Sequence, residues 1–263
     1  MRFGVCAGLD RAESLATAGW DFIELAVGTF LPDQPDQAYE PVRQCVLSLP
    51  LPVEACNCFI PGHLKLTGPE ADLAPVLAYV EVACRRMAEA GVEVVVLGSG
   101  AARALPPGWS AERGCADLGR FLAEAGDIAL ECGLDIAIEP LCAKECNFIN
   151  RVGQAVALAR RVDHPAVGVL ADSYHMSEEG EGPEVIECAA EWLEHVHIAD
   201  TGRRAPGTGS YRFRDLLHAL DGIGYDHRAS VECGWGDIEA EHGKCLAYLR
   251  RIAAEVGCEE QRA

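Results

Sequence analysis

The segment HVHIADTGRR, residues 195–204, places two histidines one position apart in a short apolar run that ends in an aspartate and a glycine turn. Side chains alternate between the two faces of a β-strand, so His195 and His197 share one face. The valine between them and the isoleucine after them share the other face. A run of this length with β-branched residues predicts a buried strand. The fold then depends on how often such runs recur and on what separates them.

Seven further runs of this kind recur along the chain, and a helical pattern follows each of the eight. The third helical pattern has Asp72 as its N-cap, and Gly91 lies just past its end. The fourth pattern runs to Gly133, and the eighth runs to Gly257. The predicted strands are RFGVCA (2–7), DFIELAV (21–27), LPVEACNCF (51–59), VEVVVLG (92–98), LDIAIEPL (134–141), AVGVLAD (166–172), EHVHIAD (194–200) and RASVECG (228–234).

Eight strand and helix units in a chain of 263 residues predict an α/β fold, a single (β/α)8 TIM barrel. We expect one domain over residues 1–263, because no Pro/Gly/Ser-rich linker divides the chain. An open doubly wound sheet is the alternative. Such a sheet more often carries a glycine-rich phosphate turn after its first strand, and CAGLDRAE at 6–13 contains no G-x-G-x-x-G. The barrel is therefore favoured, with its active site at the C-terminal ends of the strands.

The charge balance excludes some classes of partner. The chain has 41 Asp and Glu against 22 Lys and Arg, a formal net charge of −19. A field of this sign repels phosphate backbones and anionic membranes, so we expect neither nucleic acid nor membrane as a partner. A contact within a cleft could still bind a phosphorylated metabolite.

Cysteine usage and the N-terminus predict a cytoplasmic protein. The thirteen cysteines are odd in number and spread over a chain too large to need disulfides, which indicates reduced thiols. Cys56 and Cys58 form a C-x-C fragment without a second pair at zinc-finger spacing, so we predict small buried core residues there. The N-terminus lacks the apolar core of a signal peptide, and no apolar run approaches the roughly 18 residues of a membrane span.

Ligand-type residues end four successive predicted strands. They are Glu139 in the fifth strand, Asp172 in the sixth, His197 in the seventh and Glu232 in the eighth. Strand alternation turns Glu139, His197 and Glu232 toward the barrel axis. All four residues lie at the rim where barrel enzymes collect their reactive groups. His195 lies one layer deeper, where a hydrogen-bonded residue filling the barrel is expected.

Three carboxylates in one barrel mouth repel each other unless protons or a cation neutralise them. Three oxygen ligands and one imidazole favour one hard divalent ion, with Mn²⁺ as the first choice. Mg²⁺ and Co²⁺ are also suitable, whereas Zn²⁺ usually prefers fewer or softer ligands. The alternative is that some of these acids pair with Arg or Lys.

At these residues the sequence resembles the sugar epimerase and isomerase branch of the xylose-isomerase-like TIM barrels, typified by D-tagatose and D-psicose 3-epimerases. The matching motifs are IEP (138–140), DSYH (172–175), HVHIADTGR (195–203) and VECG (231–234). The resemblance implies a metal site with the acids at 139 and 232 also acting as an acid/base pair. Its implied metal ligands are Glu139, Asp172, His197 and Glu232.

The resemblance also implies residues that contact a carbohydrate substrate: His175, Arg203 and Glu145. His63, in a loop that does not match the epimerases, is a further candidate substrate contact, and an exposed loop residue is the alternative. Glu24 on the second strand either lines the pocket or takes part in a buried ion pair. Dimers are common in this branch, so a homodimer is expected, although no interface can be identified.

The implied reaction is 3-epimerisation of a ketose through a cis-enediolate, with two glutamates as acid and base. One alternative is an aldose-ketose isomerase or hydroxypyruvate isomerase, which would exchange protons at C1 and C2. Another is a metal-dependent lyase, such as an inosose dehydratase or a β-eliminating glycoside-cleaving enzyme. A barrel that only binds sugar or acts as a scaffold is disfavoured, because all four ligand-type positions are intact.

Overall fold

The computed structural model describes residues 1–260, in which eight parallel strands pair in sequence order and the last closes onto the first. The predicted (β/α)8 barrel is therefore confirmed, and the open sheet is excluded. That residues 1–263 form a single domain stays a prediction. The strands are β1 (Arg2–Cys6), β2 (Phe22–Ala26), β3 (Val53–Asn57), β4 (Val94–Leu97), β5 (Asp135–Ile138), β6 (Val167–Asp172), β7 (Leu193–Ile198) and β8 (Arg228–Val231).

Helices follow every strand of the barrel. They are α1 (Ala12–Ala18), α2 (Asp36–Leu47), α3 (Leu73–Glu89), α4 (Gly100–Arg103), α5 (Ala111–Cys132), α6 (Val152–Val162), α7 (Ser173–Glu178), α8 (Ile186–Ala189), α9 (Phe213–Gly222) and α10 (Ile238–Glu260). Short 3₁₀ segments lie at Leu9–Arg11, Val27–Phe30 and Pro183–Val185. None of the helices within residues 1–260 has the length and apolar character needed to cross a membrane.

Helix boundaries follow the capping residues in three of the four predicted cases. Gly91 lies just past the end of α3, with φ of 83°. The Asp72 carboxylate accepts a hydrogen bond from Ala74 N at 3.2 Å and caps α3. Gly133 ends α5 in a left-handed conformation with φ of 74°. The predicted end at Gly257 is wrong, because α10 continues to Glu260. Gly257 does not take a positive φ, and a glycine with helical φ weakens a helix by about 1 kcal/mol without ending it.

Strand alternation separates an inner layer from an outer one. Ile136 and Ile138 of β5 pack outward against the helices, as predicted. Inside the barrel a smaller apolar cluster fills the lower part, and above it the interior becomes polar. The inner cluster consists of Phe22, Ala55, Val94, Val96, Ala137 and Leu170.

The cysteines that the structure describes are free thiols. Cys56 is buried, as predicted, but Cys58 is exposed. The difference arises because Cys58 follows β3 in a left-handed conformation with φ of 55°, which ends the strand and turns the chain outward. Cys58 therefore contributes to the surface of the barrel mouth.

Candidate metal centre and active site

The four side chains predicted at the strand ends meet in the barrel mouth. Glu139 and Glu232 directly follow β5 and β8, Asp172 ends β6, and His197 belongs to β7. One potential ligand atom from each residue lies within 4.8 Å of those of the other three. From His197 Nδ1 the distances are 3.3 Å to Glu139 Oε1, 3.7 Å to Glu232 Oε2 and 3.9 Å to Asp172 Oδ2. The structure thus brings together the residues that the sequence placed at separate strand ends.

Without a metal ion, Arg203 offsets the charge of Glu232, and protons must neutralise the rest of this cluster. Burial, with repulsion from Glu139 and Glu232, raises the pKa of Asp172 to about 8. Burial disfavours the His197 imidazolium, but Glu24 and Glu232 outweigh it and raise the pKa of His197 well above its ordinary value. In the metal-free protein, Asp172 and His197 therefore both carry a proton at neutral pH.

The residues present fit a divalent ion. Asp172 is only 1% exposed, and its Oδ2 has no hydrogen-bond partner among the residues described. Gly98 leaves the space that Glu139 needs, since a Cβ at this position would lie 2.2 Å from Glu139 Oε2. Three carboxylates and one imidazole are the donor set expected for a hard ion such as Mn²⁺ or Mg²⁺.

Metal binding should release about two protons near pH 7, one from Asp172 and one from His197. Because the pKa of Asp172 is raised to about 8, the proton competes with the metal at neutral pH, and affinity should increase as the pH rises toward 8. Calorimetric titration with Mn²⁺ in buffers of different ionisation enthalpy measures the release. Asp172→Asn should lower it by about one proton. Release of no protons by the unaltered protein would contradict this account.

A buried carboxylate holds His197 from below. Glu24 Oε1 lies 2.9 Å from His197 Nε2, and Glu24 Oε2 lies 2.8 Å from His195 Nε2. Ser230 Oγ lies 3.2 Å from the same His195 nitrogen. His195 is therefore a hydrogen-bonded residue inside the barrel, as predicted. Of the two interpretations of Glu24, the buried ion pair is the one that the structure shows.

Arg103 is a residue of the site that the sequence did not reveal. It is fully buried and donates hydrogen bonds at 2.6 Å to the carbonyl oxygens of Glu139, Gly98 and Phe148. These bonds join the loops that follow β4 and β5 and so fix the backbone of Glu139. No sequence signal distinguishes this arginine, because a basic residue in a short helix normally faces solvent.

His175 directs a protonated nitrogen into the site. Its Nδ1 accepts a hydrogen bond from Cys142 N at 3.1 Å, so the proton of the neutral ring lies on Nε2. Nε2 is buried without a partner among the described residues and lies 4.0 Å from oxygens of Glu139 and Glu145. Burial, with the nearby Arg203 charge, lowers the pKa of His175 to about 3. His175 is therefore a neutral donor for a ligand oxygen.

This tautomer also disfavours a second metal ion nearby. Ligand atoms of Cys142, Glu145 and His175 lie within 4.8 Å of one another, as in the first cluster. A nitrogen that carries a proton cannot ligate a metal, and the other ring nitrogen is already used. The second cluster therefore suits a hydroxyl group better than an ion.

Arg203 and Glu145 complete one wall of the site. Arg203 Nη1 donates to Glu145 Oε1 at 2.9 Å, and Nη2 donates to Glu232 Oε2 at 2.5 Å. The guanidinium also lies 5.0 Å from the centre of the Tyr174 ring. The loop that carries Arg203 is held by Asp200, whose carboxylate accepts hydrogen bonds from the backbone N–H groups of Gly207, Gly209 and Tyr211.

The structure does not bring His63 into the site. Its side chain is exposed and is absent from the lining of the central cavity. Lys65 in the same loop donates hydrogen bonds to the carbonyl oxygens of Gly62 and Ala101 at 2.7 and 2.9 Å. Its ammonium group therefore stabilises the loop. A substrate contact by His63 stays a prediction without geometric support.

A cavity of about 590 Å³ opens above the four ligand-type residues. Glu139, Glu232, Glu145 and Arg203 line it, together with residues that follow β2, β3 and β4. Asp172 and His197 do not line it, because both lie beneath its floor. The centre therefore has two acids that face the cavity and two ligand-type residues that do not.

Curated relatives match part of the chain. A D-psicose 3-epimerase of Ruminiclostridium cellulolyticum is 33% identical over 110 residues, which are 41% of this chain and 38% of that enzyme. A ketose 3-epimerase of Arthrobacter globiformis is 33% identical over 144 residues, which are 54% of this chain and 50% of that enzyme. The chain thus aligns with half or less of the length of these relatives.

Structural similarity extends over nearly the whole chain. The crystal structure of D-psicose 3-epimerase with D-tagatose from Clostridium cellulolyticum superposes with a TM-score of 0.85 at 20% identity, covering 96% of this chain and 99% of that one. At this identity the likeness shows the fold alone. The family model of xylose isomerase-like TIM barrels matches residues 12–252. This chain belongs to the family of xylose isomerase-like TIM barrels.

Proposed function

We propose that the protein is a divalent-metal-dependent sugar epimerase that inverts C3 of a ketose through an enediolate. The observation that carries this proposal is the division of the four ligand-type residues. Glu139 and Glu232 reach the cluster from different strands and line the cavity, where a substrate would contact them. The 3-epimerase relatives described above support the same reaction.

Glu139, Asp172, His197 and Glu232 would hold the ion, with Mn²⁺ the first choice and Mg²⁺ or Co²⁺ suitable. A bound ion would polarise the substrate carbonyl and offset the negative charge that develops when the neighbouring C–H loses its proton. The side chains of the site would transfer the proton and orient the sugar.

In the proposed scheme, one glutamate removes the C3 proton and the other returns a proton from the opposite face of the planar enediolate, which inverts the centre. The two glutamates exchange roles between the forward and reverse reactions. His175 cannot replace either of them, because its Nε2 already carries a proton and its pKa is lowered to about 3. Inversion therefore depends on the glutamate pair.

Three further residues would orient the sugar. His175 offers an unpaired N–H, and Arg203 offers a guanidinium at the edge of the cavity. Glu145, which accepts a hydrogen bond from Arg203, supplies acceptor oxygens for hydroxyl groups. Donors and acceptors that lie next to each other suit a substrate with a carbonyl oxygen and adjacent hydroxyls.

Deuterium exchange tests the reaction. We expect the Mn²⁺-loaded protein in D₂O to introduce deuterium at C3 of D-fructose and to produce the C3 diastereomer, observed by NMR. Protein treated with a chelator serves as the blank. Deuterium at C1 of the ketose would instead indicate an aldose-ketose isomerase. Exchange into hydroxypyruvate would indicate a hydroxypyruvate isomerase. Loss of a β-substituent from an inosose or keto-glycoside would establish a lyase.

The expectations about location and assembly are part of the same proposal. A metabolic epimerase of a small sugar with a net charge of −19 is consistent with a cytoplasmic protein that has neither nucleic acid nor membrane as a partner. A homodimer is proposed by analogy with the branch. Sedimentation of the purified protein would determine its oligomeric state.

A further inference from the structure

We propose that the substrate of this site is a ketosugar that carries a second, glycosidically linked sugar on the side away from the reacting carbons. This inference rests on the function proposed above and adds the substrate class to it. It is based on the part of the central cavity that lies beyond the metal centre, over the ends of β2, β3 and β4. We call this part the distal pocket and define it by Ala26, Gly28, Asp33, Gln34, Asn57 and Tyr79.

The rim of the barrel is asymmetric. Its inward positions on β5 to β8 carry the four ligand-type residues, whereas those on β2 to β4 carry Ala26, Asn57 and Gly98. Ala26 lies two residues after the inward-facing Glu24 and pairs with Asn57 across the two strands, so both belong to the inner face. Because these side chains are small or absent, the cavity extends over this half of the barrel.

The cavity has room for more than one monosaccharide. A hexose has twelve non-hydrogen atoms and occupies roughly 200 Å³ at the packing density of a protein interior. The cavity measures about 590 Å³, so a hexose at the metal centre would leave more than half of it unfilled. A second sugar ring of the same size fits in the remaining volume.

The distal pocket also offers polar groups to a ligand. Asn57 and Tyr79 are only 8% and 7% exposed, and both line the cavity. An amide that both donates and accepts, and a phenol that does the same, complement sugar hydroxyls.

The charges in the cavity favour a neutral sugar over a phosphate group. Among its described lining residues, Arg203 is the one cation, and it lies at the metal end where it pairs with Glu145 and Glu232. The distal pocket contains the acid Asp33 instead. A phosphate at the far end of the substrate would meet a negative charge and no cation.

The test compares D-fructose with 6-O-α-D-glucosyl-D-fructose, whose additional ring lies at the carbon farthest along the chain from the reacting centre. Binding to the Mn²⁺-loaded protein is measured by calorimetry, and exchange at C3 is measured by NMR in D₂O. We expect the disaccharide to bind at least tenfold more tightly than fructose.

Gly28→Trp should reduce the ratio of the affinity for the disaccharide to the affinity for fructose at least tenfold, because the indole would occupy the distal pocket. A Cβ at Gly28 meets no atom within 4 Å, so the indole can extend into this pocket. Gly222→Trp is the matched control. It also meets no atom within 4 Å, but it lies at the end of α9 and outside the cavity lining.

Equal affinity of the unaltered protein for the two sugars would overturn the inference, and so would a Gly28→Trp variant that keeps the full ratio. These affinities are independent of turnover. Absence of C3 exchange in both sugars would instead refute the proposed reaction, while the affinity ratio would still decide whether the distal pocket binds a second sugar.

Discussion

Glu139→Gln and Glu232→Gln should each reduce kcat for the ketose by about 10⁴-fold, at the upper end of what acid/base groups contribute. Glutamine keeps the shape of glutamate, but it replaces one acceptor oxygen with an NH2 donor and cannot take up or return the C3 proton. In the two-base scheme, both steps need a carboxyl group, so either substitution alone is sufficient to stop inversion. Turnover is measured with saturating Mn²⁺, and the bound metal is determined in each variant.

The fold should survive both substitutions. Burial raises the pKa of Glu139, so ionising this residue is costly, and a neutral amide in its place relieves repulsion within the cluster. The melting temperature of the metal-free Glu139→Gln variant should therefore not fall. Glu145→Gln is the matched control, since it lines the same cavity but has no proton to transfer in this scheme. It should raise KM more than it lowers kcat. Retention of a tenth of the activity by either main variant would refute the two-base scheme.

Removal of the Glu24 carboxylate should weaken Mn²⁺ binding by about 10- to 100-fold, the effect expected of groups that orient a metal-ligating histidine. Glu24 bonds His197 Nε2 at 2.9 Å, which leaves Nδ1 as the nitrogen that faces the carboxylate cluster. Glu24→Ala should show the full loss. Glu24→Gln should show less, because its amide can still bond the ring and hold its orientation.

The measurement is competition for Mn²⁺ with a chromophoric chelator, which does not depend on turnover. Glu54→Gln is a matched control, because Glu54 is also a buried acid of the barrel but pairs with Arg2 and Arg228 at the opposite ends of the strands. This control should lower stability and leave Mn²⁺ affinity as it was. Unchanged affinity in Glu24→Ala would show that Glu24 does not orient His197.

Several features of the site follow from local patterns in the sequence. The inward direction of His197 and of its deeper neighbour His195 was predictable, because side chains alternate strictly along a strand. The cap at Asp72 was likewise predictable, since it depends on residues within one helical turn. The end of α10 was not, because Gly257 keeps a helical conformation there. Such boundaries are hard to predict because the free energies of ending a helix at a glycine and of continuing through it differ by only about 1 kcal/mol.

Other features depend on contacts between distant parts of the chain. The sequence left two interpretations of Glu24 open, because the partner that decides between them, His195, lies 171 residues away. Arg103 donates hydrogen bonds to carbonyl oxygens up to 46 residues away. Because every residue has a backbone carbonyl, the residue types of the acceptors do not reveal these bonds. The position of His63 outside the cavity depends on a loop whose path has no repeating pattern.

By itself, the sequence determined the eight strand and helix units, the inward face of each ligand-bearing strand and the residue types at four strand ends, because periodicity and alternation are local properties of the chain. Only the tertiary structure decided that those four residues meet within 4.8 Å, that Glu24 supports His197 and that a cavity of about 590 Å³ extends over the opposite strands. These depend on closure of the barrel, which sets distances between residues that are far apart along the chain.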